Sequence, residues 1–228
     1  MTFSHRVLQL LSLGMLAATP VLAQGGMAGM HHDDADKAVE GGGKFPPGWA
    51  ARTDKDAPVT SVKFVKMGEG WHVTLGPAAV LYRDTDKASG SYTVSAKFSQ
   101  SKSEYPEGYG LIIGGADLAQ PGQRYTYFLV RGDGKFIIKR RNGPDKRGEN
   151  PATVVDWTDN AAVVKTGADG KATNELAIKI AAGKASFLVN GKEVYATEAA
   201  KVDADGIVGL RVNHNLDVHI DGFGVKKA

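Results

Sequence analysis

From residue 59 onward the chain is a succession of short runs. In each, apolar and polar residues alternate or β-branched and aromatic residues cluster, and Gly, Pro, Asn or Asp closes the run. Alternation with a period of two puts every second side chain on one face of an extended backbone, so each run reads as a strand with a buried side. Such runs occupy 59–66, 71–75, 79–82, 92–99, 108–113, 124–130, 135–141, 174–181, 184–189, 193–197, 206–212 and 216–225. Beyond residue 23 no stretch keeps its apolar residues at helical spacing. A dozen strands suit two packed sheets better than one small barrel, which predicts an all-β, two-sheet antiparallel β-sandwich.

Two corners carry hairpin chemistry. Asn190-Gly191 lies between SFLV and EVYA, and Asn-Gly is the favoured pair for a type I′ turn with positive φ at both central positions. Asp133-Gly134, between FLVR and KFII, is expected to turn in the same way. A two-residue turn there pairs Leu129 with Ile138 and Tyr127 with Arg140. Tyr125, Tyr127, Leu129 and Arg140 would then share one face, with Phe128, Val130, Ile137 and Lys139 on the other. Tyr and Arg side by side offer a flat apolar platform with hydrogen-bonding edges, which suits a sugar ring, although cross-strand packing uses the same residues. The tripeptide Arg131-Gly132-Asp133 at this corner reads as the turn that fixes register rather than as a displayed adhesion signal.

The first 23 residues have a short head with His5 and Arg6, the apolar stretch VLQLLSLGMLAA and then TPVLA, the layout of a secretory signal cleaved after Ala23. The apolar stretch is shorter than the roughly 20 residues of a spanning helix, so a membrane span is not expected. The sequence has no Cys, so the fold depends on its core rather than on disulfides. These features predict a periplasmic or secreted protein. Residues 24–44, rich in Gly and charge, are expected to form a flexible tail ahead of one domain over 45–228. With 28 Lys+Arg against 25 Asp+Glu the charge is nearly balanced, which gives no nucleic-acid footprint. Oligomeric state is not legible in the sequence.

Met27, Met30, His31 and His32 bring thioether and imidazole together in the tail, a mixture that suits copper; a polar linker with incidental Met and His is the plainer reading. In RVNHNLDVHID, strict alternation would put His214, Leu216, Val218 and Ile220 inward and Asn213, Asn215, Asp217 and His219 outward, where Asn215, Asp217 and His219 could hold a ligand or a metal or simply face solvent. Trp157, in VVDWTDN between expected loops, is a candidate for stacking on a sugar. The run Lys201 to Gly206 resembles a calcium loop, but its twelfth position is Val212, where a carboxylate is required, so it reads as a turn. Nucleophile-elbow and dinucleotide-binding signatures do not occur.

The C-terminal order of a strand at 176–180, Asn190-Gly191, Ile207-Val208-Gly209-Leu210 and Ile220-Asp221-Gly222-Phe223 resembles the closing strands of concanavalin A-like lectin and glucanase jelly rolls. EGYGLIIGGADL followed by YTYFLVRGDGKFIIKRRNG is similar to exported bacterial members near the laminin G-like and 3-keto-disaccharide hydrolase families. The resemblance implies a concanavalin A-like jelly roll whose members bind sugars across one sheet or its rim. Its glucanase branch carries Glu-x-Asp-x-Glu on one strand, placing two carboxyls roughly 5 Å apart, and this chain has no such spacing. The expectation is therefore a noncatalytic module that binds a saccharide or glycan-bearing surface through Tyr125, Tyr127, Arg140, Asn213, Asn215 and Trp157. One alternative is a hydrolase-like enzyme using Asp117, Asp156, His214 and Asp217, and another is a structural or protein-interaction domain.

Overall fold

The computed structural model of the protein describes Met1, residues 35–143 and residues 152–227. The expected signal segment with its cleavage point, and the group Met27, Met30, His31 and His32, lie outside the described residues. The described chain forms strands β1 (Ala50–Thr53), β2 (Val62–Met67), β3 (Gly70–Leu75), β4 (Ala79–Ala88), β5 (Tyr92–Gln100), β6 (Gly108–Ala116) and β7 (Arg124–Arg131). It continues through β8 (Lys135–Asn142), β9 (Ala152–Asp159), β10 (Ala172–Ala181), β11 (Lys184–Val189), β12 (Lys192–Glu198), β13 (Gly206–Val212) and β14 (Asp217–Lys227). They build two seven-stranded antiparallel sheets, β1-β4-β13-β6-β7-β8-β9 and β12-β11-β10-β5-β14-β3-β2, packed as a jelly-roll sandwich.

The inward residues of both sheets make one core, in which Phe64, Val73, Phe98, Tyr109, Leu111, Phe128, Ile178, Phe187, Leu210 and Val218 are fully buried. Burying each of these large side chains contributes about 1.5–3 kcal/mol, an upper range because unfolded chains are already partly collapsed. On the second sheet the alternation is clean. In β10, buried Ala172, Asn174, Leu176, Ile178 and Ile180 alternate with the more exposed Thr173, Glu175, Ala177, Lys179 and Ala181. On the first sheet it fails, because every residue of β6 from Gly108 to Gly115 is buried and so is every residue of β7 from Tyr125 to Val130. An antiparallel strand buried on both faces has something packed on its outer side.

That outer layer is a second apolar cluster of Val80, Tyr82, Ile112, Leu118, Tyr125, Tyr127, Leu129, Ile137 and Ile207, flanked by Ala50 and Trp157. Edge strands β1 and β9 were not among the expected runs. β1 is four residues of small or polar type, and β9 has no fully buried residue and meets β8 through register shifts that spoil its period. Residues 35–44, expected as part of the flexible tail, are tied to the domain. The Gly43 N–H donates to the Val62 carbonyl, and a Cβ on Gly42 would meet the Thr60 carbonyl oxygen at 2.2 Å. No described helix is long and apolar enough to cross a membrane.

The connection 160–166 is held by an amide pair, the buried Asn174 and the exposed Asn190. Asn190 Nδ2 donates to Asn174 Oδ1 at 2.9 Å and is also 2.8 Å from the Ala162 carbonyl. Asn174 Oδ1 accepts from the Val164 N–H, and its Nδ2 donates to the Val164 carbonyl and to Tyr109 Oη. The Asn190-Gly191 turn has the expected form: Val189 faces Lys192, with φ of 50° and 76° at the two turn residues.

Candidate functional site

The face in question is set by the β7–β8 hairpin, and its register differs from the expected one. Arg131 faces Lys135 across a three-residue loop, Gly132-Asp133-Gly134, in which only Gly134 takes a positive φ, of 91°. This is the turn-plus-bulge form of hairpin, closed by Gly134 N–H to the Arg131 carbonyl at 3.1 Å. Tyr127 therefore faces Lys139, Thr126 faces Arg140 and Tyr125 faces Arg141. A one-residue slip exchanges the two faces of a strand, so Arg140 leaves the tyrosine face and Arg141 takes its place. Arg140 instead clamps Asp203, with Nε to Oδ2 at 2.8 Å and Nη2 to Oδ1 at 2.7 Å.

The tyrosine face is organised around Arg211 of β13, a strand otherwise made of Gly, Ile, Val and Leu. Its Nη1 donates to Tyr125 Oη at 3.0 Å and to Asp54 Oδ1 at 3.1 Å, while Nη2 donates to Asp54 Oδ2 at 2.6 Å. The guanidinium carbon lies 5.1 Å from the Tyr127 ring centroid, a cation–π distance. Arg141 Nη1 is 4.0 Å from Asp54 Oδ1. Burial alone would raise the Asp54 carboxyl, yet Arg211, with smaller help from Arg141 and Lys55, holds it below its ordinary value. Burial likewise opposes charge on Arg211, but Asp54 keeps it firmly protonated. The Tyr127 hydroxyl is pushed up to about 12 by burial, against the lowering influence of Arg211.

Asp54 reaches this position on a short turn after β1, in which Lys55 and Asp56 both have φ of 54°. Each non-glycine residue in that region costs on the order of 1 kcal/mol, and tertiary contacts must hold it there. Thr53 Oγ1 donates to the Ala57 carbonyl across the turn, and Arg52 joins it from the side, with Nη2 to Asp56 Oδ1 at 3.0 Å and Nη1 to the Ala119 carbonyl at 3.0 Å.

At the other end of the face, Trp157 reaches from β9 to lie over Gly108, where a Cβ would meet its ring at 3.0 Å. The Arg131 guanidinium carbon stands 4.3 Å from the Trp157 ring centroid, while Arg131 Nε donates to Asp133 Oδ1 at 2.8 Å. Both charged groups of the Arg-Gly-Asp tripeptide are thus turned onto the protein itself. Of the two arginine–aromatic pairs, Tyr127–Arg211 is buried with Leu129 and Ile137, whereas Trp157 and Arg131 are half-buried and partly open to solvent.

Of the remaining expected residues, Asn213 adjoins the Trp157 end of this face through Gly108, and the others lie elsewhere. Residues 213–216 form a turn, not the start of a strand, so the alternation begins only at Asp217. His214 is accordingly not a core residue; its ring lies 3.6 Å from Glu107 with a quarter of the side chain exposed. Asn215 docks the N-terminal segment, accepting from the Lys37 N–H at 2.7 Å and donating to the Ala35 carbonyl at 3.1 Å. Asn213 pairs its N–H with the Gly108 carbonyl, and its side-chain oxygen is buried without a partner among the described residues. Asp217 and His219 point out from the second sheet, where Asp217 Oδ1 accepts from Thr74 Oγ1 at 3.0 Å and His219 faces His72. Among the described residues no three His, Asp or Glu side chains converge as metal ligands.

The four residues considered for catalysis are likewise dispersed. His214 lies beside Glu107, just before β6, and Asp117 follows the last residue of β6. A nine-residue strand separates them by on the order of 25 Å. Asp156 caps the N–H of Trp157 on an edge strand of the first sheet, and Asp217 belongs to the second.

Asp54, Arg131, Arg141 and Arg211 were missed as site residues. Arg211 had a legible signal, a lone guanidinium inside GIVGLRV; Asp54 had none.

No protein-family model matches the chain, and no curated protein is significantly similar to it in sequence. Among solved structures it is similar to the carbohydrate-binding module CBM66 from Bacillus subtilis. That match has a TM-score of 0.57 at 10% identity and covers 79% of this chain and 96% of that one. It is also similar to a Bacillus subtilis protein of unknown function with a galectin-like fold, with a TM-score of 0.52 at 13% identity, covering 78% of this chain and 89% of that one. At such identities these likenesses bear on the fold, and they agree with a jelly-roll sandwich.

Proposed function

We propose that the domain is an exported, noncatalytic saccharide-binding module that uses the outer face of the first sheet. One observation carries the reading: at the edge of this apolar face the half-buried Trp157 stands beside Arg131, with the guanidinium carbon 4.3 Å from the ring centroid. Sugar recognition asks for that combination, since ring C–H groups pack on aromatic surface while hydroxyls take directional donors. The likeness to a carbohydrate-binding module agrees with the reading. Export with cleavage after Ala23 belongs to the same proposal, as does copper at Met27, Met30, His31 and His32; both rest on sequence alone.

Titration calorimetry against a broad oligosaccharide panel tests it. A saturable ligand should appear, and Trp157→Ala should weaken it by roughly tenfold or more, the size of one lost stacking contact plus its cation–π partner. An intact protein that binds nothing in the panel, or that binds equally well without Trp157, would overturn the assignment of this face.

A further inference from the structure

We infer that the ligand is an acidic saccharide, a chain of hexuronate type, whose carboxylate takes the place of Asp54 on Arg211; this rests on the saccharide reading above. Arg211 presents a planar fork in which Nη1 and Nη2 meet the two oxygens of one carboxylate, at 3.1 and 2.6 Å. A buried guanidinium oriented by a tyrosine hydroxyl is a receptor for that shape of anion, and a sugar hydroxyl cannot fill both positions of the fork. The two halves of the pair are held very differently. Arg211 is fixed in the middle of the first sheet with 8% of its side chain exposed, whereas Asp54 is 19% exposed and rides on a surface turn.

That turn contains two successive non-glycine residues at φ of 54°, a conformation such residues rarely adopt. Swinging it outward relieves both and leaves Arg211 and Tyr125 where they stand. Unused donors remain in place for an incoming ligand: Nε of Arg211 and Nε of Arg52 are both buried without a hydrogen-bond partner. Asp54 thus acts as a built-in substitute for the ligand's acid group.

The full chain is titrated with oligomers of galacturonate, glucuronate and mannuronate and with their methyl esters, which keep the ring and remove the charge. Wild type should prefer acid to ester by about tenfold, the value of one charge-assisted contact. Asp54→Asn removes the competing charge while keeping the side-chain shape, and should tighten the acid series by a further tenfold or so without helping the esters. Lys55→Gly relaxes the closed turn, so it should weaken acid binding about twofold; it also serves if Asp54→Asn does not fold. Equal affinity for acid and ester in wild type and variants overturns the acidic class and leaves the saccharide reading standing. Failure of every oligomer, acid or ester, overturns the acidic class; the saccharide reading then stands if a neutral oligosaccharide of the broad panel binds the same protein and falls if none does.

Discussion

On the second sheet the outward positions of β5 and β10 are Thr93, Ser95, Lys97 and Ser99, then Thr173, Glu175, Ala177 and Lys179, all exposed or half-buried. On the first sheet the corresponding positions of β7 and β8 include Tyr125, Tyr127, Leu129, Ile137 and Arg141, all buried. Both sheets contribute to one shared core, so the inner faces do not distinguish them. The difference lies outside, where one sheet ends in water and the other carries a second apolar layer threaded by an ion pair. Burial of both faces of an antiparallel strand is therefore a more telling mark of the candidate site than any single polar residue.

The sharpest way to break this contrast is Arg211→Met, which removes the two short contacts to the Asp54 carboxylate and leaves it Arg141 at 4.0 Å; it should cost about 3–5 kcal/mol in urea unfolding. The double variant Arg211→Met/Asp54→Leu should recover much of that loss, because removing both charges also removes their desolvation cost. A smaller contrast is between the faces themselves. Leu129→Ala should cost about 2–5 kcal/mol, as in a core, whereas Lys179→Ala should stay within about 0.5 kcal/mol of wild type.

The pH profile should be asymmetric too. The lowered Asp54 carboxyl contributes stability that is present above its ordinary value of 3.8 and lost as the pH falls below it; melting curves should show the acid limb flattened in the double variant. The raised hydroxyls of Tyr109 and Tyr127 contribute stability that is present below pH 10.0 and lost as the pH rises through about 12. A small effect of opposite sign, a gain of about 0.5 kcal/mol, is expected in Lys55→Gly, since glycine accepts the positive φ that lysine tolerates poorly.

Much of the fold was legible because the second sheet and the common core follow period two, and Asn190-Gly191 has the form its chemistry demands. The site was legible only in part. Tyr125, Tyr127 and Trp157 were identified from residue type, and the last two stand beside Arg211 and Arg131. Arg140 was placed on the wrong face because one extra glycine, Gly132, joins the turn, and the strand sequence does not record how many residues a loop takes up. Gly132 is selected by its surroundings: a Cβ there would meet the Thr166 methyl at 2.7 Å, a contact 34 residues distant in sequence. Asp54 is set by long-range pairing with a residue 157 positions later, which no local pattern can announce.

The paired amides of Asn174 and Asn190 have a mechanical consequence. They hold the 160–166 connection to the second sheet, and that connection also donates Thr166 N–H to the Gly132 carbonyl and Asn160 N–H to the Gly134 carbonyl. The hairpin tip of the first sheet is thereby cross-braced to the opposite sheet, so the sandwich cannot splay at the Arg131–Trp157 end. Hydrogen–deuterium exchange should find the Val164 and Thr166 amides among the slowest loop protons, and Asn174→Ala should release them together with the tip. Rapid exchange at both sites in the intact protein would show that the brace is slack.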